Sequence, residues 1–589
     1  MKKWYVSQKK ADFDAIGKKF GIDPVIARII RNRDIITEEE IEDFLNPGVH
    51  RLHDPASMLG ADEGALLILQ EIRKGSRIRV IGDYDIDGTC AAFLLLKGFK
   101  SLGADVDFDI PDRVRDGYGI NVRIIDKAHS DGVEVIVTCD NGISAVSEIA
   151  HARELGMRVI VTDHHEIPFE ENEGGLRKEI LPPADVVINP HQSGCKYPFK
   201  GLCGAVVAYK FLWQTYKRAE RDTSALLEYL DIAALATVGD IMELRGENRT
   251  IVKLGLERFH NCSNIGLNAL IDINKLSKKA IAAYHLGFVI GPCINAGGRL
   301  DTAKTVVRLL LAEDEFTAVS LAKELFDLNA RRKTMTEEGV AEAIGIIEGS
   351  DLASDRILVV YLPDSHESII GIIAGRLKER FYRPVIVLTG SEEEGILKGS
   401  GRSIEAYNMF DELSKCKGLF EKFGGHAMAA GLSIRKENLD LLRKTLNDNS
   451  TLTEEDLTDR ITIDVPMPIS YITEKLISQF ELLEPFGNGN KKPVFAQKDV
   501  DVIEARLVGA EKNVLRLKIC DERSGIMEAV KFGETGEFEE LIRSKYGEEE
   551  AKKLFARGSK KVKINIVYYP KINEFNGRRR IQPEITDFS

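Results

Sequence analysis

Short, nearly continuous apolar runs alternate with amphipathic stretches from about residue 77 onward. The runs RIRVIG, ADVDFDI, VEVIVTCD, MRVIVTDHH and ADVVINP have the length and β-branched content of buried strands. Between them, stretches such as GTCAAFLLLKGFKSLG and ISAVSEIAHARELG have helical character. Strands of this kind separated by helices indicate βαβ units and a parallel sheet that is buried on both faces.

The pattern changes further along the chain. Residues from about 200 to 345 are predicted to be mostly helical, and a second strand–helix pattern runs from RILVVYLP through SIIGIIAGRLKERF to PVIVLTG. Near the end, VLRLKIC and KVKINIVYY alternate as in a small barrel or sandwich. We therefore predict an α/β protein with five segments: an N-terminal segment packing on the core (1–75), a parallel-sheet domain (76–250), a helical connector (251–345), a smaller α/β domain (346–448) and a C-terminal β-barrel domain (460–589).

Composition adds limits on class and location. At 589 residues the chain has room for three or four domains of about 150 residues. No apolar stretch approaches the ~18 residues of a membrane span, and the basic N-terminus never reaches an apolar segment of signal-peptide length, so a cytoplasmic protein without membrane contact is expected. Eight cysteines without a CxxC pair suit reduced thiols.

Acidic and histidine side chains follow the predicted elements at four places. They are Asp83 and Asp85 in VIGDYDIDG, Asp140 in VIVTCDNG, Asp163, His164 and His165 in VIVTDHHE, and Asp240 in ATVGDIMEL. In an open parallel sheet the carboxyl ends of the strands meet at one edge, so these groups are expected to converge. Converging carboxylates repel one another unless they hold cations. Carboxylates and imidazoles without thiolates suit two Mn²⁺ or Mg²⁺ ions and phosphoester displacement.

Each motif taken alone has a second interpretation, because Asp and Asn also cap helices and form turns. Asp87, which precedes Gly88 at the start of a predicted helix, is either an N-cap or a further ligand. The adjacent His164 and His165 are predicted to point in roughly opposite directions, one toward a metal and the other toward a substrate phosphate.

Two further stretches suggest contacts with phosphate. In FGGHAMAAG the glycines bring backbone N–H groups close to an anion and His426 adds a donor, although GG before small residues also marks close packing. Between residues 551 and 580, ten Lys or Arg face one acid in a chain of net charge −12, interleaved with Phe555, Tyr568, Tyr569 and Phe575. That mixture suits single-stranded nucleic acid, or else a solvated basic face over a barrel core.

DYDIDG, CDNG, DHH and VGD, in this order, resemble the four motifs of the DHH phosphoesterase superfamily, and the long form of the chain is similar to the RecJ single-strand-specific DNA exonucleases. PDRVRDGYG, GPCINAGGR, KGSGRS and FGGHAMAAGL extend the resemblance over nearly the whole chain. It implies a DHH domain, a DHH-associated domain and an oligonucleotide-binding barrel. The implied activity is 5′-to-3′ exonucleolytic degradation of single-stranded DNA to nucleoside 5′-monophosphates in DNA repair and recombination, with a single-strand-binding protein and a helicase as partners.

The resemblance also implies residue roles. Asp83 and Asp85 would bind separate metals, Asp140 would bridge them, and His164 and Asp240 would complete the second site; His165 would contact the scissile phosphate and Asp163 would orient the histidines. The implied pocket for the terminal 5′ phosphate consists of Arg113, Arg299, Ser400, Arg402, Gly424, Gly425 and His426. For each arginine alone, a surface salt bridge is the alternative. DSHESIIG departs from the family's more usual WHxGVIG, which leaves the role of His366 open.

Two rival functions remain at this point. One is a DHH hydrolase of short oligonucleotides or cyclic dinucleotides, which would resemble the two α/β domains without the basic tail. The other is a noncatalytic replication scaffold that kept the fold after losing its metals, although all four acidic motifs are intact here.

Overall fold

The computed structural model describes residues 2–171, 177–509, 512–533, 535–556, 562–575 and 577–589. The chain forms two compact units. The first comprises Met1–Asn46, Thr458–Phe486 and Asn490–Ser589, and the second comprises Pro47–Leu457 and Gly487–Gly489. Within the described residues, no helix combines the length and the apolar character needed to cross a bilayer.

The N-terminal part of the first unit is one strand and three short helices: β1 (Lys3–Val6), α1 (Phe13–Phe20), α2 (Pro24–Asn32) and α3 (Glu38–Leu45). Helix α2 begins with Pro24 after the N-cap Asp23, whose side chain accepts the Val25 N–H. Helix α3 begins with a capping box formed by Thr37 and Glu40.

The second unit begins with the parallel-sheet domain. Its elements are α4 (Ala61–Lys74), β2 (Arg77–Ile81), α5 (Ile86–Ser101), β3 (Asp105–Asp109), α6 (Val122–Ser130), β4 (Val135–Cys139), α7 (Val146–Glu154), β5 (Arg158–Thr162), β6 (Phe169–Glu171), β7 (Arg177–Glu179), β8 (Val186–Ile188) and α8 (Gly204–Arg218). The strand order is β3-β2-β4-β5-β8, all parallel. Since Ile81 pairs with Thr138 and Cys139 with Thr162, the residues after β2, β4 and β5 meet at one edge.

Helices follow, as predicted: α9 (Leu230–Gly239), α10 (Gly246–Phe259), α11 (Ile265–Ile273), α12 (Ala283–His285), α13 (Gly291–Leu300), α14 (Lys304–Leu310) and α15 (Glu315–Glu348). A π-helical turn, Leu286–Ile290, joins α12 to α13. Their apolar side chains continue the core of the parallel-sheet domain. Helix α15, 34 residues long, leads into the smaller α/β domain.

The smaller domain contains β9 (Leu358–Tyr361), α16 (Ile370–Phe381), β10 (Val385–Gly390), β11 (Ile396–Arg402), α17 (Met409–Ser414), β12 (Phe420–His426), β13 (Ala429–Arg435) and α18 (Leu439–Asp448). Its sheet has the order β12-β13-β11-β10-β9, and only β9 and β10 are parallel. Because successive side chains of a strand point to opposite faces, alternate residues of β11 face the same side of this sheet.

The rest of the first unit contains β14 (Arg460–Ile463), β15 (Val465–Pro466), α19 (Glu474–Gln479), β16 (Phe495–Val508), β17 (Val514–Cys520), β18 (Met527–Phe532), α20 (Gly536–Tyr546), α21 (Glu548–Ala556), β19 (Val562–Phe575) and β20 (Arg578–Phe588). Pairing of β16 with both β17 and β19 closes a five-stranded barrel, β16-β17-β18-β20-β19. The α/β class with a C-terminal barrel is therefore confirmed.

The placement predicted for the N-terminal segment needs correction. Residues 1–75 do not form a segment of a single unit, because Met1–Asn46 belongs to the unit of the barrel and the residues from Pro47 onward belong to the other unit. Strand β1 pairs in parallel with β14, and the apolar residues of α2 and α3 share one core with the barrel strands. Both ends of the chain therefore build a single unit.

Candidate metal centre and phosphate pocket

Asp83 lies just after β2 and is almost completely buried, with 1% of its surface exposed. Its Oδ1 accepts the Gly119 N–H at 3.2 Å. Its Oδ2 is buried without a hydrogen-bond partner among the described residues. Burial, together with the charge of Asp85, raises the pKa of Asp83 well above its ordinary value. The orphaned carboxylate oxygen therefore suits a cation.

Asp85, and not Asp87, is the N-cap of α5. The Asp85 side chain accepts the N–H groups of Asp87 and Gly88 at 2.9 and 3.0 Å. Asp87 points to α8 instead, where its two oxygens accept the N–H groups of Gly204 and Ala205 at 2.6 and 2.8 Å. Of the two interpretations of Asp87, the N-cap of its own helix is therefore wrong.

Asp140 follows β4 in a left-handed backbone conformation, φ 62°. The Tyr118 hydroxyl donates to its carbonyl oxygen at 2.6 Å. The start of α8 presses against it, since a Cβ on Gly204 would lie 2.6 Å from the Asp140 Cβ. Burial and the charge of Asp87 raise the pKa of Asp140 well above its ordinary value.

Three carboxylates surround His164. Its Nε2 lies 3.2 Å from Asp140 Oδ1, 3.7 Å from Asp87 Oδ2 and 3.7 Å from Asp240 Oδ2. Asp87, His164 and Asp240 offer ligand atoms close enough to hold one ion. Burial and the charges of Asp87 and Asp85 raise the pKa of Asp240 to about 9. A divalent cation bound between such carboxylates stabilises their ionised form.

The two histidine rings approach the same carboxylate. Their ring centroids are 4.4 Å apart, and His165 Nδ1 is 4.0 Å from the same Asp140 Oδ1 that His164 approaches. The prediction that they point in roughly opposite directions is therefore wrong. Both rings face the carboxylate cluster because Asp163, below them, accepts the His164 N–H at 2.8 Å and contacts His165 Nδ1 at 2.7 Å.

Asp163 and His165 shift one another's pKa. Burial of Asp163 favours the neutral acid, but the hydrogen bond and charge of His165 outweigh it and lower the pKa of Asp163. Burial of His165 favours the neutral ring, yet the hydrogen bond to Asp163 and its charge raise the pKa of His165 to about 9. The pair therefore places an imidazolium beside the carboxylate cluster at neutral pH.

The donor set fits hard divalent cations. Carboxylate oxygens and imidazole nitrogens gather at the sheet edge, no thiolate ligand is among the candidate clusters of the described residues, and Asp83 Oδ2 has no partner there. Oxygen-rich sites with one or two imidazoles suit Mn²⁺ or Mg²⁺ better than a structural zinc ion.

A cavity of about 520 Å³ lies beside this centre, and Tyr84, between Asp83 and Asp85, lines it. The predicted phosphate residues that line it are Arg113, Arg299, Ser400, Arg402 and Gly424. Lys398 and Lys422 also line it, and the sequence analysis missed both. The period-two pattern of KGSGR, which places Lys398 on the same side of β11 as Ser400 and Arg402, is the signal that predicts the first of them.

The cations of the pocket have few partners. Arg299 donates to the Ser368 carbonyl oxygen at 2.6 Å, Arg113 stacks over the Tyr84 ring at 4.6 Å, and none of the pocket arginines has an ion pair within the described residues. Burial and the charge of Arg113 lower the pKa of Arg299. Crowded guanidinium groups of this kind are stabilised by an anion such as phosphate.

Gly425 and His426 are not among the residues that line the cavity. Gly425 adopts φ 148° beside the β12–β13 turn, where a Cβ would lie 2.3 Å from the Ala429 carbonyl oxygen. His426 is exposed, and its Nδ1 accepts the Met428 N–H at 3.3 Å. His366 accepts the Ser368 N–H at 3.2 Å, and Ser368 in turn holds Arg299. Within the described chain, His366 therefore supports the pocket from outside.

The barrel contains the predicted basic tail, but only part of that tail is described. Arg557, Lys560, Lys561 and the side chain of Phe575 lie outside the described residues. Arg578, Arg579 and Arg580 are exposed at the start of β20, whereas Tyr568 is buried in the core and donates to the Met467 carbonyl oxygen. Tyr568 is therefore a core residue and not a stacking platform.

Comparisons with known proteins agree with this geometry. Three family models match: the N-terminal domain of the DHH family over residues 77–237, the DHHA1 domain over 354–450 and the RecJ OB domain over 463–587. The chain is 36% identical to the single-stranded-DNA-specific exonuclease RecJ of Bacillus subtilis, over 99% of this chain and 70% of that protein. It is 32% identical to the Escherichia coli protein of the same name, over 95% and 94%.

Solved structures show the same similarity. The structure of RecJ in complex with Mn²⁺ from Thermus thermophilus matches with a TM-score of 0.80 at 26% identity, covering 100% of this chain and 79% of that one. The Mg²⁺ complex from the same organism matches with a TM-score of 0.76 at 25% identity, covering 100% and 78%.

Proposed function

Since the chain belongs to the RecJ family of single-stranded-DNA-specific exonucleases, we propose that it degrades single-stranded DNA from the 5′ end and releases nucleoside 5′-monophosphates, in DNA repair and recombination. One observation supports this most directly. Tyr84 lines the cationic pocket while its neighbours Asp83 and Asp85 belong to the carboxylate cluster. A terminal phosphate in the pocket thus brings the first internucleotide bond to the metal centre.

The enzyme takes two divalent cations, Mn²⁺ or Mg²⁺. Asp83 would hold one cation, Asp85 with His164, Asp240 and also Asp87 would hold the other, and Asp140 would contribute to both sites. This assignment adds Asp87 to the set that the sequence suggested, because Asp87 Oδ2 is 3.7 Å from His164 Nε2. When bound, a metal pair activates water and stabilises the attacking and leaving oxygens of the phosphodiester.

The remaining residues orient the substrate. His165, held protonated by Asp163, contacts a nonbridging oxygen of the scissile phosphate and neutralises part of its charge. Arg113, Arg299, Arg402 and Ser400 bind the terminal 5′ phosphate, because guanidinium groups bind phosphate oxygens bidentately. Binding of a chain end by this cluster of arginines accounts for the exonucleolytic action and for its polarity.

The cellular setting follows from the same proposal. A helicase supplies the single strand, and a single-strand-binding protein covers it. The enzyme acts in the cytoplasm. Residues of the described barrel, such as the exposed Arg578, Arg579 and Arg580, contribute to the grip on the strand.

Digestion of a 5′-phosphorylated single strand tests the proposal, beside its duplex and its 3′-blocked form, with and without Mn²⁺. We expect mononucleotides from the free and the 3′-blocked strand, little release from the blunt duplex, and no release without the metal. Activity confined to two- to five-mers would identify an oligonucleotide hydrolase instead. Absence of hydrolysis of every strand would favour the noncatalytic scaffold.

A further inference from the structure

Two large aromatic side chains are exposed and stacked on one another. Tyr284 and Phe288 expose 64% and 68% of their surface, their ring centroids are 5.1 Å apart, and the rings are 25° from parallel. Contiguous exposed apolar surface is a candidate binding site.

The helical turn that bears these rings lies beside the metal centre. A Cβ on Gly287 would lie 3.4 Å from Val238 Cγ1, two residues before Asp240. Further along, the Ile86 N–H donates to Asn295 Oδ1 at 2.8 Å. A continuous segment therefore runs from the rings, past the residues that flank the metal centre, to Arg299 in the pocket.

The shape of this segment has a local cause. Pro292 has no N–H to close an ordinary helical turn, and the Gly291 N–H donates to the Leu286 carbonyl oxygen, five residues back. Tyr284 in α12 and Phe288 in the π-helical turn are four residues apart, so they lie on one side of the helical segment. Wide turns of this type occur often at functional sites.

The charge of the segment suits a polyanion. From residue 274 to residue 300 there is no Asp or Glu, whereas the same stretch contains Lys275, Lys278, Lys279 and Arg299. The chain as a whole has a net charge of −12. Cations for phosphates next to aromatic rings for bases are the combination that binds single strands.

We propose that Tyr284 and Phe288 form a base-stacking platform for the single strand on the 3′ side of the scissile bond, an inference that rests on the proposed exonuclease function. Arg299 lies eleven positions after Phe288, which is roughly 16 Å along a helix at 1.5 Å per residue. A stacked strand advances about 3.4 Å per nucleotide, so the platform meets bases within about five nucleotides of the 5′ end. The rings hold the strand in line with the metal centre.

Equilibrium binding without divalent metal tests the platform independently of hydrolysis. The Tyr284→Ala/Phe288→Ala double variant and the ring-preserving Tyr284→Phe/Phe288→Tyr variant are compared by fluorescence anisotropy on a 5′-phosphorylated single strand. We expect the first to weaken binding by about tenfold, because losing one stacked base costs five- to a hundredfold, and the second to bind like wild type. Phe316→Ala, which removes a ring that is 86% exposed at the start of α15, is the matched control and leaves binding unchanged.

A second measurement separates stacking from a structural effect. A single abasic site is moved along the first several nucleotides of the strand. Wild type loses affinity when the site faces the platform, and the double alanine variant does not respond at that position. Equal responses of both proteins at every position, or unchanged binding by the alanine variant, would overturn the platform. If the wild-type protein binds the strand but does not hydrolyse it in Mn²⁺, the exonuclease function is overturned. The binding measurement still tests the platform in that case.

Discussion

Asp87 is the residue at which two helices and the metal centre meet. It lies in the first turn of α5, accepts two N–H groups from the start of α8, and approaches His164 to 3.7 Å. Its carboxylate is fully buried. A negative group at the α8 N-terminus is favoured by the helix dipole, and the same charge adds to the cluster that holds a cation.

Replacement of Asp87 by Ala is therefore expected to lower hydrolysis by at least about a hundredfold, similar to the loss in Asp140→Ala, because a main electrostatic element of the site is removed. Single-strand binding in the absence of metal should persist in Asp140→Ala. Single-turnover assays at saturating Mn²⁺ measure the effect. A variant Asp87→Ala with more than a tenth of wild-type turnover would contradict the assignment of Asp87 as a ligand.

Asp231 gives a pH dependence away from the metal centre. Burial raises its pKa to about 6 from an ordinary 3.8. Between these two values the folded state binds more protons than the unfolded state, so the contribution of Asp231 to stability falls as the pH rises from about 4 to 6. As the pH rises over this range, the thermal midpoint of Asp231→Asn should rise relative to that of wild type. A constant difference would mean that Asp231 does not titrate in the folded protein.

At the scale of elements, the start of α8 positions the Asp140 carboxylate. Gly204 is the first residue of α8, and no side chain fits between it and Asp140. The helix thereby donates backbone N–H groups to Asp87 and fixes the position of Asp140. One glycine thus links helix packing to the geometry of the metal centre.

Gly204→Ala should displace Asp140, because the added Cβ would lie 2.6 Å from the Asp140 Cβ. We expect weaker Mn²⁺ binding by calorimetry and a loss of hydrolysis of at least about tenfold, on the scale of an ångström-sized misplacement. Gly345→Ala, in α15 and facing open space, is the control. It should keep full activity and add about 0.5–1 kcal/mol of stability. Normal Mn²⁺ affinity in Gly204→Ala would show that Asp140 tolerates the shift.

Strand β11 carries Ser400 and Arg402, which line the cavity and are proposed to bind the terminal phosphate. Arg402→Ala should lower kcat/KM by about ten- to a hundredfold on 5′-phosphorylated strands, since one charge-assisted hydrogen bond contributes about 1.5–3 kcal/mol. The loss should be much smaller on 5′-hydroxyl strands, which lack the terminal phosphate. Steady-state kinetics on both substrates make the comparison. Equal proportional losses would assign Arg402 to the general backbone grip or to the fold.

At the scale of the whole molecule, one unit is built from both ends of the chain. Ile26, Ile29 and Ile30 of α2 lie in the same core as the barrel residues Phe495 and Tyr568. The residues between the two ends form the other unit, which contains both the metal centre and the pocket.

Deletion of residues 460–589 alone should expose the apolar faces of α2 and α3 and cause aggregation, whereas deletion of both ends, 1–46 and 458–589, should leave a folded enzyme. The double truncation should bind long strands more weakly, and the salt slope should fall by about 0.7 for each lost phosphate contact. Salt titrations of binding and light scattering measure both effects. An unchanged slope in the folded double truncation would exclude the barrel unit from the grip on DNA.

The sequence by itself determined the parallel sheet and the set of groups at its edge. Asp83, Asp140 and Asp163 follow apolar runs, and parallel strands bring such positions together whatever the rest of the fold does. Resemblance to a family supplied Arg113, Arg299 and Arg402, which meet in one cavity. These features follow from local pattern and from motif order.

Only the tertiary structure decided which carboxylate caps α5 and which segments pack together. Asp85 rather than Asp87 caps α5, because Asp87 instead accepts N–H groups at the start of α8. These N–H groups lie more than a hundred residues away in sequence. Residues 1–46 belong to the barrel unit because their apolar faces pack in its core. Hydrophobic periodicity predicts that a helix face is buried, but it does not identify the element that covers the face. Lys422 lines the pocket with Lys398 because β13 pairs with β11 as well as with β12. In each case the deciding contact is long-range, and no local pattern encodes its partner.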